Sequence, residues 1–199
     1  MFFYLEWGVA CVMCAGHFLF DIKTMSKIVI IQGSLNKDSK TALVVAETEK
    51  VLRSRKLDFE TLDLRSLKMQ FCDGRNLSDY NGDMQNAYRL LQSAEAFIFA
   101  MPVYCWSVSG VVKNLIDITA GALENKVAGI LCNAGGNRSF MASADLIQVL
   151  YYESGVMTVH PIVYTSYEDF KDGELIAEKP LAKIPAMIDA LEKQVDGRG

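Results

Sequence analysis

The chain has 199 residues, of which 51% are hydrophobic and 22% charged, a balance that excludes a disordered polypeptide and suffices for one packed domain. Lys and Arg total 20 and Asp and Glu 24, so the net charge is −4. That excludes a generally basic, nucleic-acid-binding surface.

The apolar content is uneven. Residues 1–24 carry only Glu6, Asp21 and Lys23 as charged side chains, and residues 7–20 carry none. An uncharged run of that length falls short of the roughly 20 residues that cross a bilayer. The chain also opens without the Lys or Arg of a secretory signal. Met25-Ser26-Lys27 reads as an ordinary cytoplasmic start. Residues 1–24 are therefore expected to be an upstream extension or a misplaced start, with no stable membrane insertion, a weak membrane-associating or export segment being the alternative, and residues 25–199 the folded domain. Cys11 and Cys14 have no second pair to complete a metal site, and Cys72, Cys105 and Cys132 are widely spaced. Reduced thiols and no metal are expected.

From Lys27 onward the pattern alternates. Residues 28–31 (Ile-Val-Ile-Ile) form a continuous apolar run, as in a strand buried on both faces. A helix over 39–55, a strand over 59–64 and a mostly polar loop over 66–83 follow. A second helix is expected at 84–93 and a third strand at 96–100, stopped by Pro102. Then come a helix over 109–121, a strand over 127–132, a helix over 139–152 and a short fifth strand within 156–161. Leu181, Ile184, Ile188, Leu191 and Val195 mark a last helix, which Pro185 either kinks or starts. Five strands alternating with helices predict a doubly wound parallel α/β sheet with helices on both faces. Such a sheet binds ligands beyond the carboxyl ends of its strands.

Three loops sit there. The first, residues 33–41 (Gly-Ser-Leu-Asn-Lys-Asp-Ser-Lys-Thr), joins a strand to a helix. Its hydroxyls and the free N–H groups of the helix start suit a phosphate monoester, and equally suit a capped helix with no ligand. It has neither the Gly-Lys-Ser/Thr of a P-loop nor three spaced glycines for a dinucleotide. The second, residues 101–110, gathers Pro102, Val103, Tyr104, Cys105, Trp106 and Gly110; it suits the wall of a flat ring, or packing on the core or a partner. The third, residues 133–139, carries Asn133, Gly135 and Gly136, and either lets backbone approach a ligand or simply turns and caps. Each signal is weak alone; their placement on three strand ends is what points to a mononucleotide.

These motifs resemble the NADPH-dependent FMN reductase family of flavodoxin-like proteins. The family's phosphate loop, Gly-Ser-x-Arg-x-x-Ser-x-Asn, is matched at Gly33, Ser34 and Ser39, with Asn36 in place of Arg and Thr41 in place of Asn. Its second motif is matched at Pro102, Tyr104, Ser107, Gly110, Lys113, Asn114 and Asp117, with Cys105 at the usual Asn and Ser109 at the usual Pro. The resemblance implies strand order 2-1-3-4-5 and non-covalent FMN. Ser34, Asn36, Ser39, Lys40 and Thr41 would hold the phosphate, with Lys37 or Lys40 standing in for the missing Arg. Pro102, Val103, Tyr104 and Trp106 would border the isoalloxazine, with Asn133, Gly135 and Gly136 on its other side. NADPH or NADH would be co-substrate, and a quinone, azo compound, flavin or metal oxyanion the small-molecule acceptor. The assembly would be a homodimer or dimer of dimers. Because the flavin carries the chemistry, no catalytic side chain is expected. A non-enzymatic flavodoxin-type carrier and a flavin-binding regulatory protein are the alternatives.

Overall fold

The computed structural model describes residues 27–197. The extension over 1–24, with Cys11, Cys14 and His17, lies outside them.

Strand β1 (Ile28–Gln32) is buried along its whole length, and helix α1 (Lys40–Ser54) follows. Strand β2 (Phe59–Asp63) is half-buried, as its mixed composition predicts, and pairs parallel to β1 at the sheet edge. Helix α2 (Gly82–Ser93) starts where the Asn81 side chain accepts a hydrogen bond from the Met84 N–H at 3.0 Å. Strand β3 (Ala96–Tyr104) turns back as β4 (Ser107–Val108), and α3 (Gly110–Thr119) follows. Then come β5 (Val127–Asn133), α4 (Ala142–Ser154), β6 (Met157–Thr158) and β7 (Val163–Thr165). A small hairpin, β8 (Phe170–Lys171) and β9 (Glu174–Leu175), leads to α5 (Glu178–Asp196).

The sheet runs β2-β1-β3-β5, with β6 and then β7 on the far side of β5, all parallel. Counting β6 and β7 as one interrupted strand, this is the flavodoxin-like order 2-1-3-4-5. Alternate strand residues face opposite layers. Val29, Ile31, Phe97, Phe99 and Ile130 pack with Leu91 of α2, Leu115 of α3 and Leu146 of α4. Ile28, Ile30, Ile98 and Leu131 pack with Val44 and Leu52 of α1 and Ile184, Met187 and Ile188 of α5.

Three expectations need correction. Strand β3 continues through Pro102 instead of stopping there. The Ala100 carbonyl accepts from the Gly33 N–H at 2.8 Å, so residues 100 and 102 turn their backbone groups toward β1. An N–H at residue 102 would face the Gly33 carbonyl, one residue past the end of β1, so the proline forgoes a rung where β1 leaves the sheet, while the pairing with β5 carries β3 on through Pro102 opposite Asn133. The fifth strand is split: β6 and β7 both pair with β5, and Pro161, without an N–H, lies between them. Helix α5 does not start at Pro185 but runs through it from Glu178, held by the apolar face it buries.

Candidate active site

The carboxyl ends of β1, β3 and β5 open on one cleft of about 280 Å³. Ser34, Asn36, Ser39, Lys40 and Thr41 line it from the first loop, Pro102, Val103 and Tyr104 from the second, and Asn133 and Gly135 from the third. Ten of the twelve residues singled out in the sequence are thus brought together. Trp106 and Gly136 are not among the lining residues. Trp106 stands 61% exposed at the tip of the β3–β4 hairpin. The Gly136 carbonyl accepts from the Tyr164 hydroxyl at 2.5 Å.

The first loop is wound by its own side chains. Ser39 is the N-cap of α1, its hydroxyl accepting from the Ala42 N–H at 3.1 Å. Asn36 Oδ1 accepts from the Asp38 N–H at 3.0 Å, and Ser34 Oγ from the Asn36 N–H at 3.4 Å. The N–H groups of Lys40 and Thr41, first in the helix, have no intrahelical acceptor and carry the positive end of its dipole. The loop is further held from below. Gln32, 1% exposed, accepts from the Ser34 N–H at 2.7 Å through Oε1 and donates to the Ser34 carbonyl at 3.0 Å through Nε2. The same Nε2 donates to Asp63 Oδ1 at 3.0 Å. Asp63 is in turn clasped by the Arg65 guanidinium, with Nε 3.0 Å from both oxygens and Nη2 2.5 Å from Oδ2. Burial alone would raise the Asp63 carboxyl, but the bonds from Arg65 and Gln32 outweigh it and hold it below the usual value.

Among the described residues, Lys40 is the only lysine or arginine lining the cleft. Its Nζ lies 3.4 Å from the Tyr167 carbonyl and 5.3 Å from the Phe170 ring centroid, so α1 and the 167–169 turn are tied across the mouth. On the third loop, Asn133 Nδ2 donates to Thr165 Oγ1 at 2.9 Å, and the Ala134 N–H to the Thr165 carbonyl at 2.9 Å. Cys132 is buried beneath, and burial pushes its thiol up to about 12, so it stays protonated and unreactive. Cys105 is exposed on the hairpin tip.

Asp38, Ala134 and Tyr167 also line the cleft and were not among the expected site residues. Ala134 lies between two that were. Tyr167 is distant in sequence and reaches the cleft because β7 ends beside β5, a pairing the sequence pattern does not reveal. The donors gathered at the start of α1, namely three hydroxyls, two free N–H groups and one ammonium, fit a phosphate group. Among the described residues, no helix is long and apolar enough to cross a membrane.

Comparison with known proteins agrees with this chemistry. Residues 26–169 match the sequence profile of the NADPH-dependent FMN reductases. An NAD(P)H-dependent FAD/FMN reductase of Geobacillus thermodenitrificans is 35% identical over 121 residues, covering 58% of this chain and 63% of that one, under two thirds of its length. An NADH-dependent FMN reductase of Pseudomonas putida is 23% identical over 168 residues, covering 83% of this chain and 90% of that one. Among solved structures, an NADH:FMN oxidoreductase in its apo form superimposes with a TM-score of 0.70 at 22% identity, covering 85% of this chain and 89% of that one. That last likeness is one of fold.

Proposed function

The chain belongs to the NADPH-dependent FMN reductase family, and from that premise we propose that its cleft holds FMN and that the protein passes electrons from NADPH or NADH to a small-molecule acceptor. The observation that carries this reading is the convergence of three strand-end loops on one cleft at the open start of α1.

In this reading Ser34, Asn36, Ser39, Lys40 and Thr41 hold the phosphate, with the Lys40 ammonium taking the place of the family's usual arginine. Pro102, Val103 and Tyr104 wall the ring system on the β3 side, with Trp106 on the adjoining hairpin. Asn133, Gly135 and Gly136 border it on the β5 side. FMN supplies hydride acceptance from the nicotinamide and the later release of electrons. The chain's own residues bind, orient and shield, and no side-chain acid or nucleophile is required. The acceptor is a quinone, azo compound, free flavin or metal oxyanion. Residues 25–199 form the flavin-binding domain and residues 1–24 an extension without a part in the site. The protein works in the cytoplasm, without nucleic acid, as a homodimer or dimer of dimers. The exposed Tyr151 and Tyr152 late in α4, and Phe140 and Met141 just before its start, support an assembly that covers exposed apolar side chains there.

One experiment tests the core of the reading. The purified chain mixed with FMN should retain a flavin absorbance spectrum after desalting, and anaerobic NADPH or NADH should bleach it. A chain that stays colourless overturns the proposal. Retained flavin that neither nucleotide bleaches leaves instead a non-enzymatic carrier or a regulatory protein.

A further inference from the structure

We propose that Gln32 is a positioning residue for phosphate binding: its side-chain amide, oriented by Asp63, fixes the backbone of Ser34 and so presets the phosphate loop. The proposal rests on the FMN reading above.

Ser34 lies two residues beyond the end of β1, on the side where β2 has already ended at Asp63, so no β2 residue is left to hold its peptide groups. Gln32 replaces that strand. Its amide accepts from the Ser34 N–H at 2.7 Å and donates to the Ser34 carbonyl at 3.0 Å, a two-bond rung made by a side chain. The amide has only one workable orientation. Flipped, Oε1 would face both the Ser34 carbonyl and the Asp63 carboxylate, two acceptors, and the Ser34 N–H would face a donor. Asp63 is itself immobilised by the side chain of Arg65 and by the Arg65 N–H at 3.0 Å. An ion pair at the end of β2 thus fixes an amide at the end of β1, and the amide fixes the first turn of the loop. Neither Gln32 nor Asp63 lines the cleft, so any effect on a bound phosphate passes through Ser34.

A loop already ordered binds without having to lose its backbone freedom. Unclasped, it must order on binding, and ordering one or two residues weakens affinity by about tenfold or more. The effect should be confined to ligands that use the loop.

The test titrates the full chain with FMN and with riboflavin, which lacks the phosphate, following flavin fluorescence. Melting temperatures are recorded without flavin. Gln32→Leu should weaken FMN by about tenfold or more and riboflavin by less than about twofold. Asp63→Ala, which keeps the amide but frees its orientation, should weaken FMN by about threefold. Gln32→Glu should also weaken FMN, because two carboxylates then meet. Adding Asp63→Asn should recover part of that loss, since the new amide can donate to the glutamate. Equal weakening of both flavins, in step with the melting temperature, would make Gln32 merely structural and overturn the proposal. So would unchanged FMN affinity in Asp63→Ala, which decides the matter if Gln32→Leu does not fold. A wild-type chain that takes up no FMN overturns the FMN reading and the clamp's role together. Wild-type uptake with unaffected variants overturns the clamp alone.

Discussion

Two residues at the tip of the β3–β4 hairpin adopt left-handed backbone, Cys105 at φ 49° and Trp106 at φ 66°. Both central residues of this two-residue turn therefore have the type I′ pattern, for which Asn-Gly is the favoured pair. The cysteine that replaces the family's usual asparagine thus stands where asparagine is the better backbone choice. Cys105→Asn is expected to stabilise the protein by about 0.5–1 kcal/mol, read as a rise in melting temperature of about 2 °C. This hairpin was not legible in the sequence, because Cys-Trp gives no turn signal. Gly33 is a different case: the sequence marks it only as the first residue of the phosphate-loop motif, and the structure shows that packing requires a glycine there. A Cβ there would lie 2.2 Å from Val112 Cγ2 and 2.9 Å from the Ala100 carbonyl oxygen. Gly33→Ala should cost about 1–3 kcal/mol in denaturant unfolding, and Val112→Ala in the same chain should return part of it. The Gln32 clamp was hidden for a similar reason. One polar residue ending an apolar run reads as the end of a strand, and only the fold brings Asp63 beneath it.

Elements were legible where burial is symmetrical. The runs at 28–31 and 96–100 are apolar on both faces because helices cover both, and each stands as a strand. Element ends were less legible, since they depend on neighbours in space: β3 passes Pro102 because β5 still pairs with it there, and β6 and β7 are bounded by what β5 offers. One such junction makes a prediction. Lys126 Nζ donates to the carbonyls of Leu91 and Gln92, both at 2.9 Å, and of Ala122 at 2.8 Å, while lying 5.3 Å from the Phe97 ring centroid. A single ammonium thus satisfies the carboxyl end of α2 and the short turn at Ala120–Ala122. Lys126→Met keeps the stem but leaves those carbonyls without the ammonium. It should lower stability by about 1–3 kcal/mol, measured by chemical denaturation.

At the scale of the molecule, the two apolar layers meet only through the sheet, and charge is arranged around them in local pairs. Two of these pairs contribute to the response to acid. Asp63 is held below its usual value despite burial, and the Arg75 guanidinium beside Asp73 pulls that carboxyl down to about 2. A carboxylate whose folded value is depressed favours the folded state above its unfolded value, near 3.8, and loses that contribution as pH falls toward the folded value. The melting temperature should therefore fall as pH drops below about 4. In Asp63→Ala and Asp73→Asn the fall over that range should be shallower. Equal slopes in wild type and both variants would show that neither pair contributes. The fold class and the three loops that line the cleft were legible at this scale because strand-end position is a property of topology. The closing of the cleft by Tyr167 was not, because it depends on how β7 aligns with β5.

Strand β3 outlasts β1 by four residues, so Met101–Tyr104 are braced by β5 and the short β4 but not from the β1 side. This projecting end is a cantilever: its root is locked into both layers of the core, while its tip forms one wall of the cleft. Substitutions at residues 103 and 104 reshape that wall without breaking a rung between β1 and β3. Divergence in what the cleft admits thus has a place to occur that the folding of the sheet does not police.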